Sequence, residues 1–452
     1  MTPRAALIAG ILATALGLSA QAEGITVSPK DLSKLAAVAL SQQDPATALR
    51  FTAALLTRDA QDATALILKS QAERDLGRNA QARLSAKAAW AAAQNDQEKY
   101  GAAMAMAQAL SSSGRRTAAQ LWLRRASEVA PSDIALLVAT RDFDYVRSRN
   151  PLSLRFDIGL RPSSNLNNGA TNPMFEFMGF PFQLSGDALA LSGVEASAAL
   201  SGQFRLADSE QGATDLRFAG SQKLVWLSDK AQAQAPEARN SDYAFAGIEL
   251  GLARRGKLGL GEVIYSASLG AGHNWYGGAD LTDYARADLG LEAPIGRKAT
   301  GFALVSAETQ HSLMAGQGSA QIFGLTGGVM AKRGNGDTVK LALDLGKTRS
   351  DIAPSSYDAV GLTLDYTRAR PVLGVVLAGN LGLEARDYPV SPYDIGGRQD
   401  FRLSAGLSAT LTQISYMGFS PVLSVTMAQA RSTVAIYETQ TLGVGLSVRS
   451  NF

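Results

Sequence analysis

The feature that most constrains this chain is a strict two-residue alternation that returns through its C-terminal two thirds. It is plainest at the end, where Val444, Leu446 and Val448 alternate with Gly443, Gly445, Ser447 and Arg449, and the last residue is Phe452. In an extended segment, such spacing puts one set of side chains on an apolar face and the other on a small or polar face. The pattern recurs in Leu152, Leu154, Phe156, Ile158 and Leu160, set against Ser153, Arg155, Asp157, Gly159 and Arg161. It recurs again in Val339 to Leu345 around Lys340 and Asp344, in Val360 to Tyr366 around Asp365, and in Phe401 to Leu411 around Asp400 and Arg402. Strands about ten residues long, with an apolar outer face and charges on the inner one, are the repeating unit of a transmembrane β-barrel. The strands of a soluble sandwich also alternate, but they are usually shorter and their polar face looks outward.

Turn signals divide residues 151–452 into about fourteen strands, an even number as bacterial single-chain barrels require. Asn335-Gly336 is the sharpest of these signals and predicts a two-residue hairpin turn. The longest stretch without alternation is Ser163 to Ala190, which holds Asn165, Asn167, Asn168, Phe175, Phe177, Phe180 and Phe182. So long and aromatic a loop is a constriction folded into the lumen, an exposed contact surface, or a set of interface aromatics.

Upstream the period is helical. Residues 23–150 are rich in Ala, Leu, Gln and Arg, and their breaks predict about seven short helices starting near Pro29, Pro45, Ala63, Asn79, Gln97, Thr117 and Asp133. Around Gly114, the order Ala103, Met106, Ala107, Gly114, Ala119, Leu123, Ala126 and Pro131 resembles the small and large positions of a tetratricopeptide repeat. Gly77, Ala82, Ala86 and Ala89 repeat part of it. Small alanines let antiparallel helices approach closely, and stacked pairs build a solenoid whose concave face suits a partner.

Residues 1–22 place Arg4 before an apolar run and end in Ser19-Ala20-Gln21-Ala22, which reads as a secretory signal peptide cleaved after Ala22. The rest of the chain holds no uninterrupted apolar run of ~18 residues, so any crossing of a membrane must be made by strands. The chain contains no cysteine, which excludes disulfides, thiolate metal sites, Fe–S clusters and a lipidated N-terminal cysteine. Lys and Arg (43) nearly balance Asp and Glu (40), leaving no electrostatic case for a nucleic-acid partner.

Catalytic chemistry is thinly represented. His273 and His311 are the only histidines, and neither an H-E-x-x-H nor a G-x-S-x-G motif occurs. The glycine-rich run from Gly256 to Gly278 lacks a phosphate-cradling fingerprint and suits curved strands. Charges such as Arg155, Asp157, Lys340, Asp344, Asp400 and Arg402 read as a solvated, self-paired lining, so neither an enzyme nor a cofactor is expected.

The whole arrangement resembles the surface lipoprotein assembly modulators, the Slam family of outer-membrane translocons (type XI secretion). Three stretches carry the likeness: P-S-S-N-L-N-N-G with Pro162, Ser164, Asn165, Asn167 and Asn168; G-G-R-Q-D-F-R with Arg398, Asp400 and Arg402; and the last hairpin with Gly418, Phe419, Pro421, Ser432, Tyr437 and Phe452. The resemblance implies periplasmic helices that recruit an exported protein client encoded nearby, a surface lipoprotein or a small haem- or metal-scavenging protein, and a barrel in outer-membrane lipid that moves it to the cell surface. Periplasmic chaperones would hand the client over. The fold implies that Val444, Leu446, Val448 and Phe452 form the signal read by the barrel-assembly machinery. An exopolysaccharide export porin also joins helical repeats to a barrel and is the alternative reading.

Overall fold

A computed structural model describes residues 27–259, 262–414 and 416–450. The expected signal peptide and Phe452 lie outside the described residues. The chain forms two compact units that divide between Ala139 and Thr140.

The first unit is helical. Its elements are α1 (Pro29–Ser41), α2 (Pro45–Arg58), α3 (Ala63–Asp75), α4 (Asn79–Ala92), α5 (Asp96–Ser112), α6 (Arg116–Glu128) and α7 (Asp133–Arg149), which runs across the division. Their starts are written in the sequence. Pro29 and Pro45 open α1 and α2, and Ser28, Asp44, Asp62 and Asn95 each accept a backbone N–H of the first turn. Gly77 and Gly114 end α3 and α5 in the left-handed conformation, at φ 74° and 75°. The faces between helices are made largely of alanine: Ala36, Ala48, Ala72, Ala82, Ala86, Ala89, Ala102 and Ala103 are all fully buried. Helices packed on methyl groups can approach closely. A Cβ built at Gly101 of α5 would lie 2.9 Å from Ile67 of α3, so this contact admits only glycine without a shift. Arg74 of α3 also donates to Gln108 of α5, a residue 34 positions on.

The second unit is a closed antiparallel barrel. It comprises β1 (Leu152–Ser163), β4 (Gly193–Ser209), β5 (Gly212–Leu227), β6 (Phe245–Lys257), β7 (Ile264–Tyr276), β8 (Ala279–Ile295), β9 (Ala299–Ser312), β10 (Ala320–Lys332), β11 (Thr338–Ser350), β12 (Tyr357–Thr367), β13 (Val375–Tyr388), β14 (Arg398–Leu411), β15 (Phe419–Ser432) and β16 (Thr439–Ser450). Each strand pairs with its sequence neighbours, and β1 meets β16 to close the ring. Two short strands, β2 (Met174–Phe177) and β3 (Phe180–Gln183), form a separate hairpin between β1 and β4. The loop of residues 163–190 therefore carries structure of its own. A six-residue helix, α8 (Asp229–Gln234), sits in the β5–β6 connection.

The alternation becomes inside and outside because cross-strand partners share a face. Leu154, Phe156, Ile158 and Leu160 of β1, Leu341, Leu343 and Leu345 of β11, and Val444, Leu446 and Val448 of β16 all remain 40% or more exposed, on the outer surface. Inside, charges are mostly paired. Arg155 meets Asp157 at 2.9 Å, Arg161 meets Glu195 at 3.1 Å, Arg255 meets Glu292 at 2.9 Å, and Thr326 donates to Asp344 at 2.6 Å. Lys340 lies 5.2 Å from the centre of the Phe302 ring.

Both ends carry short connections, residues 277–278 at the far end among them, and the ends differ in where the two longest connections lie. Residues 210–211, 296–298 and 333–337 are tight turns at the end where the chain enters β1, whereas residues 164–192 and 228–244 lie at the other end. One expected turn changes in detail. The Asn335-Gly336 signal does not make a two-residue turn: Gly336 N–H donates to Arg333 O at 3.0 Å and Arg333 N–H to Asp337 O at 2.8 Å, a three-residue loop with Gly336 at φ 92°. Gly336 takes the left-handed place that such loops require, and Asn335 Oδ1 accepts from Asp337 N–H at 3.1 Å across it.

Candidate functional site at the long-loop end of the barrel

Where β1 leaves the barrel wall, the chain runs into the asparagine-rich turn. Ser164 N–H donates to Leu442 O of β16 at 2.9 Å, and Leu442 N–H donates to the Ser164 hydroxyl at 2.9 Å. Asn165, buried, sends its Nδ2 to Gly169 O (2.9 Å) and Gln440 O (3.2 Å), and its Oδ1 accepts from Gly169 N–H at 2.9 Å. These two side chains supply polar partners to the backbone of the last strand and of the loop itself, where an unpaired N–H or C=O would be costly. Asn167 does the same for the far side of the loop, donating to Asp187 O and Leu189 O at 2.8 Å each and accepting from Leu191 N–H at 2.9 Å. Asn168 takes a left-handed φ of 53°, which asparagine tolerates better than most residues. A Cβ at Gly169 would meet Leu189 O at 2.3 Å. The turn is thus fixed residue by residue.

From this base the loop is tied on both flanks. Gln234 of α8 donates to Gly186 O at 2.9 Å, and Thr171 N–H donates to Glu438 O at 2.9 Å. The β2–β3 hairpin packs its rings on the β13–β14 connection: Phe175 and Phe177 lie 5.6 and 5.9 Å from Tyr393, edge to face. Phe175 also stacks on Phe182, while Met178 and Phe180 at the hairpin tip are exposed.

The aromatic contacts continue to an arginine. Tyr393 lies 6.1 Å from Tyr437, and the Arg398 guanidinium lies 3.6 Å from the ring centres of both Tyr437 and Tyr388. A buried guanidinium held between two aromatic faces gains cation–π attraction that a lysine would not reproduce in the same planar geometry. Arg398 Nε is 3.2 Å from Asp400 Oδ1, an ion pair whose N–H is not aimed at the oxygen. Burial pushes the Tyr437 phenol up, and the positive charge of Arg398 partly offsets this. Ser432 accepts from Val434 N–H at 3.1 Å and so shapes the connection that carries Tyr437.

The structure therefore gathers Ser164, Asn165, Asn167 and Asn168 at one end of the barrel with Arg398, Asp400, Ser432 and Tyr437. Pro162 lies one turn of the pleat below them in β1. Arg402 is deeper on β14, in register with Glu384. Gly418, Phe419 and Pro421 do not join this group: Gly418, at φ 74°, ends the β14–β15 turn at the opposite end, and Phe419 and Pro421 pair there with Ser450 and Val448. Tyr388, Tyr393, Gln234 and Gln440 complete the site without having been singled out in the sequence. Only the Tyr-Pro-Val-Ser-Pro-Tyr spacing of residues 388–393 hinted at two of them.

The two histidines come together on another face. His273 of β7 and His311 of β9 are both in register with Asp283 of β8, and His273 bridges Asp283 (2.6 Å) and Asp280 (3.1 Å) beside the Trp275 ring. Both His273 ring nitrogens are thereby occupied. Among the described residues no group of His, Asp or Glu is arranged to hold a metal ion.

A closed ring of fourteen antiparallel strands with an apolar outer belt and a paired polar interior defines a membrane-spanning β-barrel of the bacterial outer-membrane type. The chain matches no protein-family profile and no curated protein. Among solved structures, OmpT of Vibrio cholerae covers 66% of this chain with 98% of its own length, at 9% identity and TM-score 0.33. A BenF-like porin from Pseudomonas fluorescens covers 66% with 99% of its length, at 10% identity and TM-score 0.35. An anion-selective porin from Comamonas acidovorans gives 66% and 99%, at 10% identity and TM-score 0.31. Likeness of this size concerns the path of the chain and not its chemistry.

Proposed function

We propose that this chain is a non-enzymatic outer-membrane translocon that exports a protein client to the cell surface. The observation that carries the reading is the joining, in one chain, of alanine-packed helix pairs to a barrel that gathers Ser164, Asn165, Asn167, Asn168, Arg398, Asp400, Ser432 and Tyr437 at the long-loop end. Outer-membrane barrels keep short turns on the periplasmic side and long loops outside. The chain enters β1 at the short-turn end, which supports a periplasmic place for the helices and an extracellular one for the Asn165 and Arg398 clusters. On this reading the helices capture the client and the barrel provides its route, with folding of the client outside or transfer from a chaperone as the driving force.

Deleting residues 29–148 should lower surface exposure of the client while leaving the barrel inserted. The measurement is protease shaving of intact cells that express this protein and the product of the adjacent open reading frame. Exposure unchanged by the deletion would remove the helices from the mechanism. Exposure unchanged by loss of the whole gene, with reduced surface polysaccharide, would favour polysaccharide export instead.

A further inference from the structure

On the outer wall the apolar belt gives way to charge toward the long-loop end, and strands β12 to β15 form a hollow at that border. The register sets its rows. Asp358 of β12, Asp387 of β13 and Gln399 of β14 lie side by side, each one position inside the end of its strand. One step toward the belt come Val360, Ala385 and Phe401, followed on β15 by Arg431. Below these lie Leu362, Leu383 and Leu403. Cross-strand partners share a face, and the exposed Val360, Leu362 and Phe401 put this one outward, toward lipid. Ala385 is the small member of its row. Between Val360 and Phe401 it leaves an open cavity of about 670 Å³, bordered by Asp387, Gln399 and Arg431. The slot suits an aliphatic chain, and its border suits a polar head.

Charge decides which head. Lys347 and Arg349 of β11 and Arg431 of β15 flank Asp358 and Asp387, three cations to two anions. Arg349 pairs with Asp358 at 2.8 Å. Lys347 and Arg431 have no ion-pair partner among the described residues. Asp387 accepts from Gln399 Nε2 at 3.3 Å and meets no Lys or Arg side chain among those residues. An arginine stem lies along apolar surface while its guanidinium reaches the head-group layer, where it pairs with phosphate. Phosphates packed in a leaflet carry counter-ions, and Mg²⁺ is held by one or two carboxylates together with phosphate oxygens. A lipid phosphate with its divalent cation therefore satisfies Arg431 and Asp387 at once.

We propose that this hollow binds one molecule of the phosphorylated glycolipid of the outer leaflet. An acyl chain lies on Ala385 between Val360 and Phe401, a phosphate meets Arg431, and a divalent cation carried with that phosphate meets Asp387. The proposal rests on the translocon reading only for the leaflet that the long-loop end meets.

The probe is fluorescently labelled rough lipopolysaccharide, titrated with magnesium against the full-length protein in mild detergent. One molecule should bind per barrel. Ala385→Leu, which fills the slot with a lipid-compatible side chain, and Arg431→Gln should each weaken binding at least about tenfold, as the loss of about two buried methylenes or of one charge-assisted bond predicts. Ala198→Leu fills a second outward hollow, beside Ile158, Leu160 and Leu224, that no charged residue lines, and should leave binding unchanged. Magnesium should tighten binding to the native chain and not to Asp387→Asn. Each variant is compared as folded, heat-modifiable barrel. Equal weakening by Ala198→Leu, no weakening by Ala385→Leu or Arg431→Gln, the same magnesium response in Asp387→Asn, or displacement by an equal amount of phosphatidylglycerol would each overturn the site. Selective glycolipid binding together with export unchanged by deletion of 29–148 would leave the site standing and sink the proposed role of the helices. Export that depends on the helices with no such binding would do the reverse.

Discussion

Asn165 ties its own loop to the last strand, binding Gly169 four positions on and Gln440, 275 positions away. Replacing it by alanine takes a partner from the Gly169 and Gln440 carbonyls and leaves Gly169 N–H only its longer bond to Asn167 (3.3 Å), a cost of about 1–3 kcal/mol. Asn165→Ala should make residues 164–192 cleavable by protease added to intact cells while the folded barrel still resists heat in a gel-shift assay. Asp337 provides a residue-scale test in pH. Its carboxylate accepts from the Tyr366 hydroxyl at 2.6 Å and from Ala369 N–H at 2.9 Å, which holds its titration below the usual carboxylate range. A depressed value means that the stabilisation is complete above the unfolded-state titration and is lost as pH falls through the folded one. Resistance to unfolding should therefore decline below about pH 4, and Asp337→Asn should flatten that part of the profile.

Among the elements, the β2–β3 hairpin stands apart because neither of its strands pairs with the wall. Its hold on the β13–β14 connection is through Phe175, Phe177 and Tyr393. Deleting Met174–Gln183 should leave the amount of assembled, heat-modifiable barrel unchanged, while Tyr393 becomes accessible to surface iodination. Less assembled barrel would show that the hairpin takes part in closure. Element boundaries were readable where local chemistry marks them. Proline and the capping Ser28, Asp44 and Asp62 announce helices, and alternation announces strands. The hairpin and α8 were not readable, because four to six residues are too few to express a period and their stability comes from rings and amides supplied by other loops.

For the molecule as a whole, the division into lipid face and lumen face can be checked at one point of β11. Leu343 faces outward midway along the strand, and Asp344 faces inward to Thr326. Arginine at the lipid-facing midplane costs about 2–4 kcal/mol, so Leu343→Arg should reduce assembled barrel, whereas Asp344→Asn should not. Equal effects would reverse or abolish the assignment of faces.

By itself the sequence determined which segments become the seven long helices and the wall strands, that the wall has about fourteen strands, and which side of each meets lipid. Those properties follow from spacing within a segment, where every contact lies a few residues away. The tertiary structure alone decided that Gly418, Phe419 and Pro421 part company with the other motif residues, that Arg398 is held between Tyr388 and Tyr437, and that β1 and β16 share four register pairs. The reason is physical: ring closure sets partners across nearly 300 residues, and no period within one strand records which edge it will meet or how far the two will overlap.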